Sequence, residues 1–208
     1  MNMHGLYALP PGVDFAAEAV RGLLQRFRHR PPEALAQATV YANSVRTLAA
    51  LRRHLIASGP LLLPRLRLIG ELGEGPLTAP LARQLDLGAL IARLAAAHPG
   101  LAAGQAVPAL ARSLAALMEE MQREGCAVDA LDRIDVSDHA EHWRTAHGFL
   151  RIAADFYLAG PPQDRAARQR AAAEAAARDW PAGVNLPDGP VIVAGSTGSQ
   201  GATRLFMQ

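Results

Sequence analysis

One short run, PVIVAG at residues 190–195, constrains the fold more than any other stretch. Val191, Ile192, Val193 and Ala194 show no polar/apolar alternation, so both faces of this strand need cover, as in a parallel sheet. A single strand has no ladder partner, and its neighbours must come from elsewhere in the chain. From about Leu81 to Asp179 the pattern is helical almost throughout. LARQLDLGALIARLAAA, VPALARSLAALMEEMQREG, HAEHWRTAHGFLRIAADFYLAG and PPQDRAARQRAAAEAAARDW each carry apolar residues at i, i+3 and i+4. The strand therefore rejoins a sheet begun before residue 81, and the helices form an insertion.

The first eighty residues supply candidates for that sheet. LYALPPG reads as a short strand, Leu6 to Leu9, ended by Pro10 and Pro11. Asp14 can cap the helix FAAEAVRGLLQRF, with Phe15, Ala19, Leu23 and Phe27 expected on one face. RPPEALAQ reads as a connector and ATVYANS as a second strand. Ser44 can cap VRTLAALRRHLIAS, with Leu48, Leu51 and Leu55 inside and Arg46, Arg52 and Arg53 outside. LLLPRLRLIG gives a third strand, interrupted by Pro64. Strands alternating with helices predict an α/β fold with a parallel sheet and right-handed crossovers. The expected organisation is residues 1–80 as the first part of the α/β domain, 81–180 as a helical insertion, and 181–208 as the returning strand and the start of a helix.

Composition narrows the chemistry. All 21 basic residues are arginine, so a Schiff-base lysine, a lysine general base and a P-loop lysine are excluded. The single cysteine, Cys126, excludes an internal disulfide and a cysteine-based zinc site. It follows a helix end and reads as a structural thiol. The formal charge of +2 is small, so nucleic-acid binding would rest on local arginine placement. No apolar run approaches the length of about 20 residues that spans a bilayer. The first residues lack the pattern of a signal peptide, and a cytoplasmic location is expected.

Four constellations invite functional readings. Gly195, Ser196, Thr197, Gly198 and Ser199 follow a strand and open a helix, a place where backbone N–H groups bind phosphate. The glycine spacing 195, 198, 201 fits neither the dinucleotide fingerprint nor the P-loop, and a simple strand-to-helix turn needs the same small residues. The turn Pro10, Pro11, Gly12, Val13 occupies the phosphate position after a first strand, yet its prolines lack N–H donors and Asp14 repels phosphate. His139, Glu141, His142 and His147 lie at spacings that do not match a zincin pair; a helix start with Asp138 as cap and Trp143 buried is the plainer reading, and no metal is assigned. Ser44, Arg46, Arg52 and Arg53, with Arg65 and Arg67, could meet a nucleic-acid backbone or form a solvated face.

YALPPGVDFAAEAVRGLL, LLLPRLRLIGELGE, LMEEMQREG, AEHWRTAHGFLRI and PVIVAGSTGSQGAT occur in this order. The ordered set resembles the N-terminal part of the alphaproteobacterial type of AddB, the second subunit of the AddAB helicase–nuclease of double-strand break repair. The resemblance spans nearly the whole chain. It implies a RecA-like, P-loop NTPase-like sheet whose motor has degenerated, with a helical subdomain inserted. PPGVDFAAEA stands at the would-be Walker A turn, without lysine. ANSVR stands where true helicases touch single-stranded DNA; Arg46 is kept there, while the Pro and Thr of the family pattern are not. The family's nuclease, with its magnesium-binding carboxylates and iron–sulfur cysteines, has no counterpart in these 208 residues, which are expected to be a fragment or a truncated product. DNA and an AddA-like subunit are the implied partners, and no cofactor is expected in this segment. A nucleotide- or phosphate-ester-binding enzyme using GSTGS, and a purely protein-binding module, are the alternatives.

Overall fold

The computed structural model describes residues 5–98, 106–133, 141–159 and 164–208. Among them it is an α/β structure with eight α-helices and one three-stranded parallel sheet. The chain divides into two compact units. The first is Met1–Leu72, Glu174–Ser199 and Thr203–Gln208; the second is Gly73–Ala173 and Gln200–Ala202. The first holds eleven of the 21 arginines and seven of the 19 carboxylates, a net +4, and the second carries a net −2.

In the first unit, α1 (Phe15–Phe27), α2 (Pro32–Gln37), β1 (Thr39–Ala42), α3 (Val45–Ala57) and β2 (Arg65–Leu68) precede a 3₁₀ turn at Ile69–Glu71. β3 (Val191–Ala194) and most of α8 (Gly201–Met207) complete it. The sheet order is β2-β1-β3, with Val40 opposite Leu66 on one side and Ile192 on the other. The returning strand lies beside β1 at the edge of the sheet, with Ala194 buried and Val191, Ile192 and Val193 half-buried.

The two sheet faces are covered differently. Val40, Ala42 and Ala194 point to one face, where Ala16 and Val20 of α1 and Leu51 and Leu55 of α3 bury them. A cavity of about 30 Å³ remains between these helices and the sheet, lined by Leu23, Val40, Leu66 and Ile192 among others. That leaves room for only about two water molecules, so it is a packing gap. On the opposite face the Tyr41 ring meets Phe206 of α8 edge-on (5.3 Å), and Trp180 meets Phe206 in turn (5.5 Å). Trp180 belongs to the loop before β3, which is closed by Asn185: its Nδ2 donates to Asp179 (2.9 Å), and its carbonyl accepts from Trp180 Nε1 (3.1 Å).

Three expectations for this unit need correction. Leu6–Leu9 form no strand. The Tyr7 ring lies under the Arg26 guanidinium of α1 at 3.6 Å, and Leu6 is 92% exposed, so this segment runs beside the helix and makes no ladder. RPPEALAQ contains a helix, α2, entered through Pro32 at a first-turn position that needs no N–H. Finally, Phe15 is exposed, and α1 buries Ala16, Val20 and Phe27. Steps of four residues drift about 40° each around a helix, so the stripe 15, 19, 23, 27 cannot stay on one face over its whole length.

In the second unit, α4 (Pro80–Ala97), α5 (Val107–Glu124), a 3₁₀ segment Val128–Arg133, α6 (Glu141–Leu158) and the larger part of α7 (Arg165–Asp179) replace the sheet pattern with helices. Leu87 and Ile91 of α4, Ala111, Leu114 and Met118 of α5, and Phe149 and Ala153 of α6 share one core. α5 ends where Gly125 turns left-handed (φ 72°); the Cys126 amide then donates to the Met121 carbonyl at 2.8 Å, a closure only glycine enters freely. A charged group lies within this unit. Arg83 and Asp164 are 8% and 7% exposed and approach to 3.5 Å. Arg83 donates to the Tyr157 carbonyl (2.5 Å) and lies over the Tyr157 ring at 3.9 Å, while Asp164 accepts from the Ala167 amide at the start of α7 (2.8 Å). Burial pushes the Tyr157 hydroxyl pKa up.

Candidate functional site at the carboxyl ends of the strands

β1 and β3 are neighbours, yet the chain leaves them on opposite sides. After β1 it enters α3, which packs on the Val40 face; after β3 it enters α8, whose Phe206 packs on the Tyr41 face. Divergence of two connections at adjacent parallel strands opens a crevice at their carboxyl ends, the usual ligand position in open α/β sheets. The first unit therefore has one topologically defined place for a site.

Its rim comes from three segments. Asn43, one residue past β1, donates its amide to the Ala194 carbonyl (3.3 Å) and so holds the two strand ends together. Gly195 follows with φ 74°. A Cβ there would meet Asn43 Oδ1 at 3.2 Å and the Phe15 ring at 3.3 Å, so glycine lets the β3 exit nest against both residues. Gly198 is also left-handed (φ 66°), and its amide donates to Ser196 Oγ at 3.3 Å. Within Gly195, Ser196, Thr197, Gly198 and Ser199, one hydroxyl thus already serves the turn itself.

The amides that could receive an anion at the helix starts are also engaged. Asp14 Oδ1 accepts from Ala16 N (3.0 Å) and Ala17 N (3.1 Å), placing the chain's own carboxylate at the N-terminus of α1. Those hydrogen bonds, that from Ala17 first, hold the Asp14 carboxyl below its usual 3.8, and His54 (3.5 Å) and Arg53 pull the same way. Ser44 caps α3: its Oγ accepts from Thr47 N (3.1 Å) and lies 2.9 Å from Thr47 Oγ1. Pro10, Pro11, Gly12 and Val13 form an exposed turn into α1, with Gly12 left-handed (φ 86°); no strand precedes it, so it is not placed as a strand-to-helix phosphate loop.

The arginines take their expected side. Arg46, Arg52 and Arg53 are exposed on α3, opposite buried Leu51 and Leu55. Arg46 and Arg53, seven residues apart, share one line along the helix. Among the described residues no carboxylate pairs with Arg46 or Arg52. Arg65 pairs with Asp188 at 3.4 Å, while Arg67 stands on the Tyr41 face of β2. Sequence reasoning missed Asn43 and Phe15 as parts of the rim. Asn43 stood between a strand and its following cap residue, a position that marks a strand exit, whereas nothing local signalled that Phe15 would turn outward.

Asp138 and His139, and the side chains of Glu141, His142 and Trp143, lie outside the described residues. His147 Nε2 is 2.7 Å from the Leu131 carbonyl, so this ring nitrogen is engaged by backbone in the second unit. Among the described residues no three His, Cys, Asp or Glu side chains gather as a metal set, and no helix is long and apolar enough to cross a membrane. Cys126 is a free, exposed thiol.

The chain matches no protein-family model, no curated protein and no solved structure. The described residues form an α/β protein with a three-stranded parallel sheet and a second, helical unit.

The Asp14 geometry predicts a pH response. Its folded pKa is depressed, so the unfolded chain binds the proton more readily, and the stabilisation is present above the unfolded value and lost as pH falls through the folded one. Asp179 shifts in the same direction, through Asn185 first and then Arg178. Urea unfolding between pH 6 and pH 3 is expected to show a smaller acid-induced loss for Asp14→Ala than for the parent chain. Parallel acid limbs would remove Asp14 from the account.

Proposed function

We propose that this chain is a non-motor, helicase-like α/β segment of a double-strand break repair helicase–nuclease subunit, serving as a scaffold for DNA and for an AddA-like partner. The finer fold reading, a degenerate RecA-like sheet with an inserted helical subdomain, belongs to the same proposal. One observation carries it. The amides at the start of α1 are filled by the chain's own Asp14 carboxylate, while the neighbouring α3 turns Arg46, Arg52 and Arg53 outward. A carboxylate seated on those amides repels a phosphate and uses its donors. Exposed guanidiniums are suited to phosphodiester oxygens. The family's magnesium and iron–sulfur cluster serve a nuclease that this reading places outside these residues.

The test pairs two titrations. ATP with magnesium is expected to leave the thermal midpoint unchanged up to millimolar nucleotide. A fluorescent duplex is expected to bind with an affinity that falls as salt rises. Arg46→Ala and Arg52→Ala are each expected to reduce the salt slope by about 1, across unrelated sequences. Micromolar ATP binding abolished by changes in Pro10–Asp14 would overturn the degenerate-motor reading. Salt-independent or absent DNA binding would turn the assignment to a protein-binding module.

A further inference from the structure

A second basic cluster lies at the other end of α1 from the crevice. Arg26, Arg28, His29 and Arg30 fall within five residues where α1 ends, in the sequence RFRHR. Arg28, His29 and Arg30 are exposed. Their neighbours are not acids. Arg26 lies over the Tyr7 ring (3.6 Å), Arg28 Nε donates to His29 Nε2 (2.6 Å), and Arg30 stands 5.6 Å from the Phe27 ring centre. Among the described residues no carboxylate comes within 4.0 Å of any of these three guanidiniums.

A helix C-terminus attracts cations, but its partial charge of about −0.5 is met by a single arginine. Three guanidiniums leave a local surplus of positive charge, and they are part of the unit's net +4. Of the two rings beside the cluster, Phe27 is 6% exposed, while Tyr7 has Arg26 on one face and remains 61% exposed. What the guanidiniums offer is point contacts to phosphate.

We propose that Arg26, Arg28 and Arg30 form a second contact for the sugar–phosphate backbone of a nucleic acid, independent of sequence and separate from the α3 arginines. The inference rests on the DNA-scaffold reading for the identity of the polyanion. α1 and α3 cover the same sheet face, so their outer sides look away from the sheet in one direction. Thirteen residues of α1 span about 20 Å, equal to about six base pairs at roughly 3.4 Å per phosphate along a strand. The two basic surfaces can thus engage one duplex at separated phosphates.

The experiment compares the full chain, Arg28→Ala/Arg30→Ala, Arg46→Ala/Arg52→Ala and the fourfold variant. Affinity for a 20-base-pair duplex is measured from about 50 to 200 mM salt, with thermal melts checking the fold. The RFRHR pair is expected to bind about tenfold more weakly and to lower the salt slope by about 2, with the effects of the two pairs adding in the fourfold variant. An unchanged slope for that pair, with a reduced slope for the α3 pair, would overturn this inference and leave the scaffold reading intact. The reverse pattern would sustain the RFRHR contact and remove α3 from the interface. Equal binding of all four chains to the duplex would sink both. Poly-glutamate or phosphatidylglycerol vesicles bound through RFRHR, while duplex affinity stays unchanged, would reassign the surface to an acidic protein or a membrane.

Discussion

Arg83→Met is expected to destabilise the second unit by about 3–5 kcal/mol, the cost of leaving one member of a buried ion pair without its partner. Arg83 sits on the face of α4 that also carries Leu87 and Ile91, four and eight residues on, and both of those are 0% exposed. Methionine matches the aliphatic stem of arginine, so the change removes chiefly the guanidinium head. What is lost is the 3.5 Å approach to Asp164, the donation to the Tyr157 carbonyl and the cation over the Tyr157 ring. Asp164 then remains 7% exposed with its cap bond from Ala167 and, with its amide oriented to donate, Gln122 at 3.0 Å. Those contacts are neutral donors and compensate a buried charge only in part. Urea unfolding of the full chain, followed by helix signal, measures the loss. A change under about 1 kcal/mol would show that the pair is solvated. The double variant with Asp164→Asn keeps a capping oxygen and removes the charge. It is expected to lie closer to the parent than the sum of the two single changes, because the partners are coupled.

This pair also shows where the sequence was legible. LARQLDLGALIARLAAA was legible as a helix from its apolar spacing, whereas the burial of Arg83 within it was not. Its partner was not visible, because Asp164 lies eighty-one positions away and only tertiary packing joins them. The same distinction holds across the chain. Residues 45–57 were readable in full, since cap, stripe and exposed arginines all follow local rules, and Leu51, Leu55, Arg46, Arg52 and Arg53 lie as those rules require. VIVA was readable as a strand that must return to an earlier sheet, and it pairs with Thr39–Ala42. Leu6–Leu9 was misread because β propensity gives no strand unless an edge is within reach; the Arg26–Tyr7 contact holds this segment against α1 instead. The crevice was half legible. The GSTGS turn and Ser44 were singled out, but Asn43 and Phe15 meet Gly195 only through the register of β1 with β3.

That register makes the second large prediction. Gly189→Ala is expected to cost about 3 kcal/mol, at the upper end for overpacking. A Cβ at 189 would lie 2.6 Å from the Gln37 carbonyl oxygen and 2.7 Å from its carbon, both backbone atoms that no rotamer change can move. Relief requires residues 188–190 to withdraw from β1, and the first bond to stretch is Thr39 N to Pro190 O, now 2.9 Å. Gly22→Ala in α1 is the matched control. A Cβ there meets nothing within 4 Å, so that change removes a flexible residue from a helix interior and is expected to stabilise by about 0.5–1 kcal/mol. Opposite signs for two identical substitutions in the same unit separate close approach from propensity; equal signs would show that Gln37 gives way. The consequence reaches the crevice, since β3 sets both Gly195 and the Ala194 carbonyl that accepts from Asn43. Amide exchange at Asn43 is therefore expected to quicken in Gly189→Ala and to stay slow in Gly22→Ala. In the same variants, a loss of duplex affinity confined to Gly189→Ala would place the proposed DNA contact at the strand ends. Unchanged affinity in both would place it on the outer surfaces of α1 and α3 alone.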